Sequence, residues 1–149
     1  MPNGIGDAPP RAPIEHAVNG IWYNQHGSRI ELVVSDTGAV QGTFRSPIGL
    51  SKGKDEARVL GFTSGNLISF VADFSKYASL TAWTGHVVGD GGESVMETQW
   101  QMTVAISGRA SNEDLWRGIW TGADTFQRQN PAQLSTSRRM LSHPLPEWP

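Results

Sequence analysis

The stretch Gly20-Ile21-Trp22-Tyr23-Asn24-Gln25-His26-Gly27-Ser28 sets an aromatic ring, a carboxamide and a hydroxyl where a strand turns over into a hairpin. Successive side chains of a strand alternate between faces, so Trp22 and Asn24 share one. An apolar wall and a hydrogen-bonding group then face one cavity, and Ser28 returns to it from the turn. Four more patches combine rings with short polar side chains: Gly42-Thr43-Phe44-Arg45-Ser46, Ser79-Leu80-Thr81-Ala82-Trp83-Thr84-Gly85, Thr98-Gln99-Trp100 and Gly122-Ala123-Asp124-Thr125-Phe126. The chemistry on offer is recognition of a small ligand rather than bond-making.

Signals of catalysis are weak beside this. His16, His26, His86 and His143 lack metal-ligand spacing and read as surface or turn residues. No Gly-x-Ser-x-Gly, P-loop or Gly-x-Gly-x-x-Gly phosphate motif occurs, so no catalytic residue, metal or cofactor is expected. The chain has no cysteine, which removes disulfides, thiolate catalysis and cysteine zinc sites. With 12 basic and 14 acidic residues the net charge is -2, which offers no footprint for nucleic acid or an acidic membrane.

The elements that must position these groups are short runs rich in Val, Ile, Thr, Phe and Trp. Turn chemistry at Asp36-Thr37-Gly38, Ser64-Gly65-Asn66 and Gly89-Asp90-Gly91-Gly92 separates them. Alternation is strict in Arg29–Ser35, where Ile30, Leu32 and Val34 form one face, and in Val95–Ile106, where Met96, Trp100, Met102, Val104 and Ile106 do. About eight strands are expected: 20–24, 29–35, 40–46, 57–64, 67–74, 79–88, 94–107 and 115–126. Such a meander closes into an all-β, eight-stranded antiparallel up-and-down barrel, since closure removes unpaired edges and leaves room for side chains or one small ligand. The 149 residues make one domain. Residues 1–13, proline-rich, read as a flexible lead-in, 14–127 as the barrel, and 128–149 as a tail whose prolines suit an extended segment. Lys52, Lys54 and Arg58 around Asp55-Glu56 read as a solvated loop.

Taken in order, the patches from about Gly20 to Phe126 resemble the avidin and streptavidin family of biotin-binding proteins. The resemblance implies a non-catalytic barrel with biotin at one open end. Biotin carries a urea, with one acceptor oxygen and two N–H donors, and an apolar chain ending in a carboxylate. By resemblance, Asn24 and Ser28 donate to the urea oxygen, while Ser46 and Asp124 accept from its N–H groups. Thr81 meets the ring sulfur and Ser79 the ligand carboxylate. Phe74, Trp83 and Trp100 wall the ligand, with Phe70 packed nearby. A buried carboxylate such as Asp124 is tolerable only when hydrogen-bonded, and charge-assisted contacts to a polarised urea are the strong ones.

The departures from the family pattern fall at both ends of the ligand. Phe44 stands where the family pattern has a tyrosine that donates to the urea oxygen, a loss of roughly 1.5 to 3 kcal/mol. Leu50 replaces an amide residue near the carboxylate end, and Ser75-Lys76-Tyr77-Ala78 is a shortened loop. Trp116 matches the tryptophan that reaches into a neighbouring subunit's pocket, so the resemblance implies a homotetramer. A secreted or periplasmic protein is expected, and since no signal peptide and no hydrophobic run of spanning length is visible, an exported protein would be present here in mature form. Two rival readings are a lipocalin-like carrier of another apolar ligand, from the Gly20-Ile21-Trp22 opening, and an assembly module binding a peptide in the barrel mouth. Asn24, Ser28 and Asp124 argue against the first, since a greasy ligand gains nothing from buried hydrogen-bonding groups. The second rests on the tail, where Leu145-Pro146-Glu147-Trp148 has the chemistry to dock at a pocket mouth.

Overall fold

The computed structural model describes residues 16–47, 56–106 and 117–131. They form a closed barrel of eight strands in chain order: β1 (Gly20–Tyr23), β2 (Arg29–Val34), β3 (Ala39–Arg45), β4 (Glu56–Ser64), β5 (Leu67–Phe74), β6 (Ser79–Val88), β7 (Val95–Val104) and β8 (Ile119–Gln127). Every neighbouring pair is antiparallel, and β8 returns to β1 through the single pair Tyr23↔Gln127. This is the expected fold class. The alternation sorts as expected too: on β2, Ile30 and Leu32 are fully buried while Glu31 and Val33 face solvent.

An up-and-down meander sends the start of each odd strand and the end of each even strand to the same end of the barrel. Trp22 on β1, Leu32 on β2, Val40 on β3, Ile68 on β5, Met96 on β7 and Phe126 on β8 gather there, none more than 2% exposed. Burying a large apolar side chain is worth about 1.5 to 3 kcal/mol, so these six contribute a substantial share of the fold's burial energy. This end is sealed by Arg128. The guanidinium lies 3.7 Å from the Trp22 ring centroid, donates to the carbonyls of Asn19 at 2.9 Å and Ile21 at 3.4 Å, and also reaches the Ala17 carbonyl. Trp22 Nε1 donates to the Val18 carbonyl at 2.9 Å, so both its face and its polar edge are occupied. Trp22 therefore floors the closed end rather than walling a ligand cavity, a correction to the reading of Trp22 and Asn24 as one wall.

Two further expectations change. The apolar face of β7 stops at Val104, since β6 begins opposite it at Ser79 and β8 begins at Ile119 opposite Thr103. Val104, paired with β6 alone, and Ile106, past both partner strands, are 39% and 37% exposed. In the basic run, Glu56 and Arg58 belong to β4 instead of a loop, and they pair across the sheet with Arg45 on β3 and, at 3.7 Å, with Asp73 on β5. Residues 1–13, Leu50, Lys52, Lys54, Asp55, Trp116 and the segment 141–149 lie outside the described residues.

Candidate ligand-binding site

The hairpin at the open end leaves the ladder one residue earlier than alternation alone would place it. Asn24 bends the chain by accepting, through Oδ1, the backbone N–H of His26 at 3.0 Å and of Ser28 at 2.9 Å. Gly27, at φ +82°, supplies the left-handed residue that the turn requires. With its oxygen spent on the backbone, Asn24 has its Nδ2 donors left for the interior. Asn24 and Ser28 are both buried, 3% and 7% exposed.

Asp124 is the centre of the site. It points inward from β8, is 7% exposed, and carries the charge that the interior must compensate. Trp83 Nε1 donates to its Oδ2 at 2.8 Å, Gln25 Nε2 donates to its Oδ1 at 2.8 Å, and Asn24 Nδ2 stands 3.5 Å from Oδ2. Thr98, buried on the facing strand, fixes the backbone beneath it by donating to the Asp124 carbonyl at 2.8 Å. A carboxylate offers about four lone-pair positions. Three have protein donors within reach, so one on Oδ1 is left for a further N–H.

The wall is aromatic. Trp83 stacks on Phe70, with centroids 5.1 Å apart and planes 20° apart, and on Phe44, at 5.4 Å and 27°. Phe74 meets Phe44 edge-on at 5.5 Å. Such pairs contribute about 0.5 to 1.5 kcal/mol beyond their burial and lose little rotamer freedom. Trp100 is half-buried on the same inner face, and its ring lies over Gly122 on β8, where a Cβ would come within 2.3 Å of Trp100 Cζ2. Only a glycine lets the indole lie that flat against the strand.

Ser79, Thr81 and Trp83 follow one another on the inner face of β6, with Thr81 buried and Ser79 half-buried. The Ser79 Oγ is buried without a hydrogen-bond partner, which leaves a donor and an acceptor open at the entrance. The turn that joins β5 to β6 is set by Asp73, whose carboxylate accepts the Ser75 hydroxyl and, at 2.9 Å, the Ser75 backbone N–H. Those two bonds, helped by Arg58, hold the Asp73 carboxyl below its ordinary value of 3.8, against a smaller opposing effect of burial.

Of the residues singled out from sequence, Asn24, Ser28, Phe44, Phe74, Ser79, Thr81, Trp83, Trp100 and Asp124 come together on the inner face towards the open end. Ser46 lies just past the end of β3 and is exposed, at the edge of this group. Trp116 is beyond the described residues. Gln25 was missed as a partner of Asp124, and Thr98 as its support. Both stand within the stretches noted at the outset, but alternation gives no role to Gln25 because it follows the last paired residue of β1.

Fold and site together define a closed eight-stranded antiparallel β-barrel whose interior carries polar and aromatic side chains at one end. The sequence matches the avidin family over residues 12–129. The chain belongs to that family, whose members are non-catalytic binding proteins. It is similar to the crystal structure of Xenavidin, with a TM-score of 0.64 and 26% sequence identity over 77% of this chain and 99% of that one. No curated protein sequence gives a match.

Proposed function

We propose that this protein binds biotin with high affinity in the open end of the barrel, one molecule per chain. The observation that carries the reading is Asp124, a buried carboxylate held by Trp83, Gln25 and Asn24 with one acceptor position left over, beside a ring of four aromatic side chains. A urea N–H fits that position, and Asn24 Nδ2 and the Ser28 hydroxyl supply donors for the urea oxygen. Trp83, Trp100, Phe44 and Phe74 cover the bicyclic head and chain. Ser79, with its unpartnered hydroxyl, takes the carboxylate end.

The test is titration with biotin while following tryptophan fluorescence and thermal unfolding. Saturation at one biotin per chain with a rise in melting temperature is expected, because a ligand that binds only the folded state stabilises it by RT ln(1 + [L]/Kd). No fluorescence change and no thermal shift in excess biotin would refute the proposal.

A homotetramer is part of the same reading. On the outer face Leu60 and Val71 are cross-strand partners, 49% and 40% exposed, and Phe62 and Leu67 beside them are 72% and 51% exposed. A contiguous apolar patch on an outer sheet face favours association, and Trp116 carries the family's intersubunit position. Light scattering is expected to give four chains per particle, and Phe62→Lys to give smaller ones. A monomer at micromolar concentration would rule the tetramer out.

A further inference from the structure

Gln25 is exposed, yet its side chain makes three well-formed hydrogen bonds across the seam between the first hairpin and β8. β1 ends at Tyr23, so Ala123, Asp124 and Thr125 have no β1 residue opposite them. The amide of Gln25 stands in for the missing strand. Its Nε2 donates to the Ala123 carbonyl at 3.1 Å and its Oε1 accepts the Thr125 N–H at 3.0 Å, a donor and an acceptor meeting the two residues that flank Asp124. The orientation of the amide follows from these bonds, since reversing it would set N–H against N–H at Thr125. The second hydrogen of Nε2 goes to Asp124 Oδ1 at 2.8 Å, the shortest of its contacts, with His26 Nε2 farther away at 3.3 Å.

Building on the biotin reading, we propose that Gln25 is a positioning residue for ligand recognition. It holds the backbone around Asp124 and turns the carboxylate so that the remaining acceptor position of Oδ1 is presented to a ligand N–H. Trp83 and Gln25 grip one oxygen each, and with both in place the carboxylate has no free rotation about its Cβ–Cγ bond. Loss of Gln25 leaves the aromatic wall and Asn24 intact but frees one side of the acceptor. A pocket preorganised in this way loses less on binding than one that must order its polar groups around the ligand.

The variants are Gln25→Met, which keeps length without the amide, and Gln25→Glu, which keeps an acceptor for the Thr125 N–H but sets a second carboxylate oxygen against Asp124 Oδ1 and the Ala123 carbonyl in place of the donor. Dissociation of biotin and of its two mono-N-methyl urea analogues is compared with the unaltered chain, and the Trp83 indole N–H resonance is recorded without ligand. Gln25→Met is expected to weaken biotin about tenfold, the loss of one hydrogen bond to a charged acceptor, and Gln25→Glu by at least as much, since it adds like-charge repulsion at Asp124. For the analogue whose methyl replaces the N–H that meets Asp124, the loss should shrink below about threefold, as expected when the coupled partner is already gone. The Trp83 resonance should move in the ligand-free variants because the shared carboxylate reorients. Equal losses for biotin and both analogues, or unaltered biotin dissociation, would overturn the proposal by reducing Gln25 to a seam bond. If the unaltered chain fails to bind biotin, the biotin reading fails separately, and an unshifted Trp83 resonance then overturns the role of Gln25 while a shifted one upholds it. Should Gln25→Met not fold, Gln25→Glu carries the same measurements.

Discussion

The two ends of the barrel are built from the same strands by opposite rules. At the closed end the interior holds Val18, Trp22, Leu32, Val40, Ile68 and Met96, all within 2% of complete burial, and the charge of Arg128 comes from outside to cover a ring. At the open end the interior holds Asn24, Ser28, Thr81 and Asp124 with almost the same burial. Burying such groups costs free energy unless every one is bonded. The closed end supplies the apolar burial that lets the open end keep a carboxylate and an unpartnered hydroxyl indoors.

The largest effect that separates the two ends is expected from Trp22→Ala. It removes a fully buried indole, its bond to the Val18 carbonyl and the surface on which Arg128 lies. A buried tryptophan truncated to alanine costs about 3 to 5 kcal/mol, measurable as a lowered midpoint in urea. The molecules that remain folded should bind biotin within about twofold of the unaltered chain, as independent sites do. If affinity fell together with stability, the two ends would not be separable.

Asp124→Ala should show the reverse. It deletes the acceptor shared by Trp83, Gln25 and a ligand N–H, and biotin affinity is expected to fall by roughly 2 to 4 kcal/mol. Stability should change less than in Trp22→Ala, because the lost hydrogen bonds are partly offset by no longer burying a charge. Calorimetry of binding alongside thermal unfolding checks both halves. Wild-type affinity in this variant would remove Asp124 from the site.

How much of this was legible in the sequence follows the same division. Alternation and turn residues are local, so the eight strands, the turn at Asn24–Ser28 and the shared parity of Thr81 with Trp83 and of Trp100 with its strand's apolar face could be read directly, while Asp124 came from the family resemblance. What alternation cannot convey is depth along the barrel axis, which is why Trp22 read as a pocket wall although it lies at the floor. Nor can it reach residues past the last paired position. Gln25 on one side and Ile106 on the other lie beyond the ladder, and Val104 keeps a partner on β6 alone, so long-range neighbours decide their exposure. The ion pairs of Glu56 and Arg58 were hidden for a similar reason, since their partners Arg45 and Asp73 belong to other strands.

Phe44→Tyr sharpens the comparison from the other direction, by adding polarity to the open end. Phe44 is 7% exposed and packs between Trp83 and Phe74, so its ring is already held in place before any hydroxyl is added. If that hydroxyl reaches the urea oxygen, binding should tighten by about 1.5 kcal/mol, the lower range for a bond to a partly charged acceptor. The measurement is the dissociation rate, and an unchanged rate would mean that the urea oxygen lies elsewhere.

The smallest effect concerns Asp73, which charges the rim rather than the interior. Its carboxylate is held below the ordinary value of 3.8 first by the Ser75 hydroxyl, then by the Ser75 backbone N–H and Arg58. A carboxyl lowered on folding contributes stability above its unfolded value, and that contribution is lost as the pH falls through the folded value. Asp73→Asn should therefore lower the melting temperature slightly at neutral pH and flatten the fall in stability below about pH 4, where the unfolded carboxyl gains its proton. Since Asp73 sits on the turn that carries Phe74 to Ser79, the same variant should loosen the β5–β6 connection and speed biotin release modestly. Melting curves from pH 3 to 7 that run parallel for the two proteins would show that the Asp73–Ser75 turn adds nothing to the fold.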